Sequence, residues 1–266
     1  ISKSPYLDKN LSLEGLMDIN GHIDGTIKAP TFTGHVASKK MVVNGEAYTE
    51  IAGNVASDMH AKNSFDVSFK QPHQTADKKA KNSVGKFSAK GNLNLEEKFL
   101  DGVVIIDNGD INGLLRTDKL DYAVNGIING KVDICPNGKG SGILFNLNSN
   151  NIETHKLHYQ KMEVNGIFNE YVLTLNNAIL QENIKNNEAG IIKAYGTVNL
   201  PKKLFDVHAE AVKANPAIVN VAMKSPLDIK GAMNLTAALS GSFDSPKGEA
   251  ELEILDGSFM NVDFDS

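Results

Sequence analysis

The sequence predicts an all-β protein: one long antiparallel repeat sheet with a single apolar face. Two observations predict it. First, residues 85–130 align without a gap on residues 190–235, a spacing of 105 residues, with ten identical positions. Among them are Gly85/Gly190, Gly91/Gly196, Asn94/Asn199, Leu95/Leu200, Asp101/Asp206, Gly126/Gly231 and Asn129/Asn234. Self-similarity at a fixed spacing marks one supersecondary unit stacked on copies of itself. A further 105 residues upstream of Gly126 and Gly130 lie Gly21 and Gly25. Residues 1–266 therefore read as one continuous repeat region, with units near 1–110, 111–215 and a partial 216–266. Second, apolar and polar residues alternate between turn signals, the period-2 pattern of a strand with one apolar face.

In order, the first run sets Met17, Ile19, Gly21, Ile23, Gly25 and Ile27 against Asp18, Asn20, His22, Asp24 and Lys28. Phe65, Val67 and Phe69 alternate with Asp66, Ser68 and Lys70, and residues 71–83, polar and aperiodic, are expected to be an exposed loop. Phe87, Ala89, Gly91, Leu93 and Leu95 alternate with polar partners. The next run puts Leu120, Tyr122, Val124, Gly126, Ile128, Gly130 and Val132 on one face. Its repeat does so with Leu227, Ile229, Gly231, Met233, Leu235, Ala237 and Leu239, and Leu252 and Ile254 follow among glutamates. Turn signals fall at Ala29-Pro30, Cys135-Pro136, 148–151, Asn186-Asn187, 244–246 and Asp256-Gly257. Residues 212–223 break the alternation and suit one short helix.

A wet outer face on almost every strand fits antiparallel sheet. A run such as 227–243 would be about 55 Å long at ~3.3 Å per residue. Such a strand seldom stays straight, and glycine within a strand marks a bend or a close approach. Gly21, Gly25, Gly126, Gly130 and Gly231 are therefore expected to bend the sheet into a U with an apolar groove. A closed barrel is the alternative, which a stacked repeat has no reason to form. The groove lining would be Ile19, Ile23, Ile27, Phe87, Leu93, Leu95, Leu120, Tyr122, Val124, Ile128, Val132, Leu227, Ile229, Met233, Leu235 and Leu239.

Composition narrows the function. A net charge of −5 and a pI near 5.8 argue against a nucleic-acid partner. One cysteine, Cys135, excludes an intrachain disulfide and reads as a small buried hydrophobe. No run of about 18 apolar residues suits a membrane-spanning helix. The chain opens and closes part-way through a repeat and reads as a piece of a longer protein, with any anchor outside it. The seven histidines are scattered, and His155 and His158 point to opposite faces of a strand. The glycines at 138–142 lack a Walker pattern, and Asp256, Asp263 and Asp265 read as a solvated edge. No catalytic residue, metal or cofactor is expected, and the chain is not expected to be an enzyme.

One motif is recurrent: an alternating strand, Gly, a short segment, Pro, Gly and another alternating strand. It occurs as Gly25…Pro30…Gly34, as Gly130…Pro136…Gly142 and as Gly241…Pro246…Gly248. In this, over the whole chain, the sequence resembles the TamB family, AsmA-like envelope proteins of diderm bacteria. The resemblance implies a β-taco fold and a periplasmic bridge, anchored in the inner membrane outside this segment, that carries phospholipid to the outer membrane. It also implies an Omp85-type barrel as partner. Acyl chains would slide in the groove. An alternative is a module that helps outer-membrane or secreted β-proteins fold through exposed sheet edges, and a third is a structural solenoid with a dry core. The frequent glycine and alanine on the inner face favour the open groove. Exposed edges also lead one to expect end-to-end self-association.

Overall fold

The computed structural model describes residues 12–59, 61–72, 84–97, 99–115, 124–135, 142–154, 157–182, 190–218, 229–259 and 262–264. It is all-β and antiparallel, and its contacts divide the chain into two compact units. The first holds residues 1–115 and 128–140; the second holds 116–127 and 141–266.

In the first unit the strands are β1 (Leu13–Gly15), β2 (Asp18–Thr26), β3 (Ala29–Val43), β4 (Glu46–Ser57), β5 (Lys62–Pro72), β6 (Val84–Asn94) and β7 (Phe99–Asp110). A five-residue helix α1 (Ile111–Leu115) follows. Strands β2 to β7 pair in sequence order, and β1 lies beyond β2 along the same edge of β3. The unit boundary falls within β8 (Val124–Ile134).

The second unit contains β9 (Ile143–Ser149), β10 (Ile152–Thr154), β11 (Leu157–Asn169), β12 (Val172–Glu182), β13 (Ile191–Asn199), β14 (Leu204–Ala214), β15 (Ile229–Ser242), β16 (Ser245–Phe259) and β17 (Val262–Phe264). Here β11 to β17, too, pair in sequence order, β9 and β10 share one side of β11, and β10 also pairs with Val124–Gly126.

The identical positions perform identical tasks in the two units. Asn108 and Lys213, 105 residues apart, both adopt a left-handed backbone, with φ of 56° and 51°. The N–H of each donates to a side-chain oxygen 21 positions on: Asn108 to Asn129 at 2.8 Å, and Lys213 to Asn234 at 3.0 Å. Asp110 and Asn215 then cap the following helical turn, accepting from Asn112 N–H at 3.0 Å and Ala217 N–H at 2.9 Å. At the other ends of the strands, Asn94 and Asn199 accept from the third residue on, Glu97 at 3.1 Å and Lys202 at 3.0 Å, which closes an Asx turn. The next residues, Leu95 and Leu200, donate their N–H to Ala61 at 2.9 Å and Tyr171 at 3.1 Å.

Glycines cross each sheet in register. In the first unit Gly21 faces Gly34, then come Val55, Phe65, Gly91 and Gly102 on successive strands. In the second the line is Phe145, Gly166, Leu175, Gly196, Val207, Leu239 and Gly248. Aromatic rings fill the space of the missing side chains: Phe32 beside Gly21 and Gly34, Phe65 beside Gly91, Phe145 beside Gly166.

Register shifts mark bulges in β4, β14 and β16, and each bulge bends its strand locally. Left-handed residues sit at them: Glu50, Lys213, and Asp256 opposite Gly231. Gly126, Gly130 and Gly231 have positive φ within strands, a backbone conformation that glycine adopts more readily than other residues.

Several expectations are corrected. Gly25 is not a mid-sheet bend. It pairs with Pro30 at the mouth of a hairpin whose two turn residues are Ile27 and Lys28, so Ile27 lies on no strand face and is fully exposed. The motif repeats as Gly241 opposite Pro246, and a hydroxyl closes both turns: Thr26 accepts from Ala29 N–H at 3.2 Å, Ser242 from Ser245 N–H at 3.1 Å. In these two copies the Gly…Pro signature is thus a hairpin code. Gly21 lacks a positive φ and serves close approach. Leu95 lies in the turn after β6. Asp256-Gly257 is a bulge inside β16 rather than a turn. The longest described strands, β3 and β16, have 15 residues, because the longer alternating runs include turn positions. Gln71 and Pro72 end β5 instead of opening a loop, and Gln71 is completely buried. Leu120, Tyr122, Leu227, residues 73–83, 136–141 and 183–189, and His155 lie outside the described residues.

Candidate functional site

The apolar face is sealed at one end of the strands and open at the other, in both units. In the first unit the sealed end gathers the ends of β3 to β7 beneath α1, where Phe87, Ile106 and Ile111 are buried. In the second, Ala211, Ala214 and Met233 form a buried cluster, with Ile192, Ile218, Leu235 and Ile254 packed against it. Met233 has no exposed surface because Ala214 and Ile254 flank it on the neighbouring strands.

Toward the hairpins the same face is uncovered. Ile19 and Ile23 are each 62% exposed and Leu239 43%, with Leu252 beside Leu235 half exposed. The expected lining residues therefore separate. Phe87, Ile128 and Met233 are buried; Leu93, Val124, Val132, Ile229 and Leu235 are half-buried; Ile19, Ile23 and Leu239 are exposed. Cys135 is buried, as expected of a small hydrophobe.

Under α1 an apolar hollow of about 420 Å³ is lined by Met41, Val43, Tyr48, Ile51, Phe69, Phe87, Val104, Ile106 and Leu114. The Phe69 and Phe87 rings stack in parallel with centroids 5.0 Å apart, and Tyr48 meets Phe69 edge-on at 5.4 Å. Beside the hollow is a buried polar cluster of Glu46, Gln71 and Asp110. Gln71 accepts from Asp110 N–H at 2.9 Å and donates to Asp110 C=O at 3.4 Å. It thereby satisfies the backbone where β7 turns into α1.

The second unit meets the same need differently. Glu182 occupies the place of Gln71 and accepts from Asn215 N–H at 2.8 Å. Burial raises the Glu182 pKa, while that backbone donor pulls it down. Tyr159, its cross-strand neighbour, is buried and its hydroxyl has no partner among the described residues. Desolvation, helped by the Glu182 charge, pushes Tyr159 up to about 12. Tyr48, the corresponding residue of the first unit, is raised by burial and then by Glu46. Sequence reasoning missed these residues: Tyr48 and Tyr159 are 111 residues apart, as are Gln71 and Glu182, so the 105-residue spacing overlooks them.

Glu182→Gln reproduces the acceptor that the first unit already uses. A carboxyl whose pKa is raised on folding favours the folded state at low pH. That contribution is lost as pH rises through the folded pKa. The variant should therefore melt higher than the parent at pH 7, and the gain should shrink toward pH 4, as followed by circular dichroism. An equal gain at both pH values would show that the charge of Glu182 is irrelevant.

Among the described residues no group of three or more His, Cys, Asp or Glu is placed to hold a metal, and no helix is long and apolar enough to cross a membrane. Known family models, curated proteins and solved structures contain no match to this chain.

Proposed function

We propose that this chain is a segment of a periplasmic conduit for phospholipid, in which acyl chains lie against the apolar face while head groups remain in water. The observation that carries this reading is the uncovered apolar stretch common to both units, with Ile19, Ile23, Leu239 and Leu252 exposed on strands whose other face is polar. Each methylene that leaves water for such a surface gains about 0.8 kcal/mol. The TamB-like hairpin motifs support a place in the bacterial envelope, with an inner-membrane anchor and an Omp85-type barrel supplied by the rest of the protein.

Photo-crosslinking amino acids test it. At Ile19 and Leu239 they should yield phospholipid adducts, identified by mass spectrometry, and at Asp18 and Lys230 they should not. Equal labelling of the two sets would sink the one-sided surface. A second reading, strand addition to an unfolded β-protein, draws on β2, whose nine residues are all exposed. Protein adducts along β2 without lipid adducts at Ile19 would favour it.

A further inference from the structure

We propose that the hollow beneath α1 is a fixed seat for the end of one unbranched hydrocarbon chain, a resting point within the first unit rather than more sliding surface. The proposal rests on the reading that the apolar face accepts acyl chains. No charged side chain lines the hollow, and the Tyr48 hydroxyl is the sole polar side-chain group among the lining residues. Its volume of about 420 Å³ lies in the range of small-molecule sites, roughly 300–1,000 Å³.

Its length also suits such a guest. The lining runs from β3 through β7, four inter-strand steps of ~4.8 Å, or roughly 19 Å. A hydrocarbon chain spanning one leaflet is about 15 Å, half of a ~30 Å bilayer core.

The hollow is a seat because it stops. Leu114 of α1 forms one wall, and next to it Gly113 lies against the Gln71 amide and the Glu46 carboxylate. Hydrocarbon gains nothing by displacing hydrogen-bonded buried polar groups, so a chain that enters halts there. An ionised head group finds no counter-charge among the lining side chains, so it stays outside and only the tail enters.

The chain contains no tryptophan, so one introduced indole reports on one place. Phe87→Trp puts it in the hollow and Leu239→Trp at the open end of the second unit. The probe is a long-chain fatty acid brominated near its methyl end, which quenches an indole on contact. The seat predicts saturable quenching of F87W at one equivalent per chain, at a concentration at least tenfold below that needed for L239W. An added Val104→Phe, which fills the hollow, should weaken quenching of F87W at least tenfold. Should F87W lose its strand signal, Leu114→Trp places the indole on the opposite wall for the same test. Quenching of L239W as tight as that of F87W, or indifference to Val104→Phe, overturns the seat and leaves the lipid surface standing. Absence of quenching at both positions overturns the surface reading as well.

Discussion

Replacing Gly196 with valine is expected to lower the stability of the second unit by about 3–5 kcal/mol, combining backbone strain with overpacking. Gly196 has a φ of 146°, and a side chain there would run into the Asp206 carbonyl and the Val207 backbone of the adjacent strand. Its neighbours in register, Leu175 and Val207, supply the bulk on either side. Since whole domains are stable by only about 5–15 kcal/mol, this change alone threatens the fold. Urea unfolding followed by circular dichroism measures it. Gly142→Ala is the control: a methyl group there meets nothing nearer than the Asn169 side chain at 4.0 Å, and stability should barely move. A G196V protein as robust as the parent would mean that β13 and β14 do not pair in this register.

A charge at the sealed end should be far more damaging than one at the open end of the same strand. Met233→Asp buries a carboxylate among the apolar side chains of Ala211, Ala214, Ile192 and Ile254, at an expected loss of about 3–5 kcal/mol. Leu239→Asp, six residues on, places the same group where water reaches it, so the unit should stay folded, with a change of roughly 1 kcal/mol or less. Lipid capture by a crosslinker at Leu252, four residues along the adjacent strand from the partner of Leu239, should nevertheless fall in L239D, because a chain must then pass an ionised group. A folded M233D would contradict a sealed end. A folded L239D with undiminished lipid adducts would remove acyl chains from that part of the face.

Alternation made the two faces legible: Phe65, Val67 and Phe69 share one, as do Phe87, Ala89 and Gly91. The repeat made Asn129/Asn234 and Gly91/Gly196 stand out, though not their reasons. Those depend on partners across the sheet, such as Asn108 and Lys213, which differ in type because only backbone groups are used. Bulges were illegible, since an Asp-Gly pair looks the same in a turn and in a strand. Gln71 was misread for a related reason. A polar residue next to a polar stretch suggests a loop, and its partner Asp110 lies 39 positions away. The hollow was out of reach, because alternation says which residues share a face and nothing about how completely they fill it.

Nearly every strand pairs with the strands just before and after it in the chain, so the contacts of each unit are local in sequence. All-β proteins usually fold slowly because distant segments must meet before any gain arrives. Here each new hairpin docks on an edge already formed and closes only a short loop. Strands can therefore be added one after another as the chain emerges from a ribosome or a translocation pore, without waiting for its end. The growing edge is the exposed surface at every stage of that assembly, so delay during synthesis is when aggregation is most dangerous to this protein.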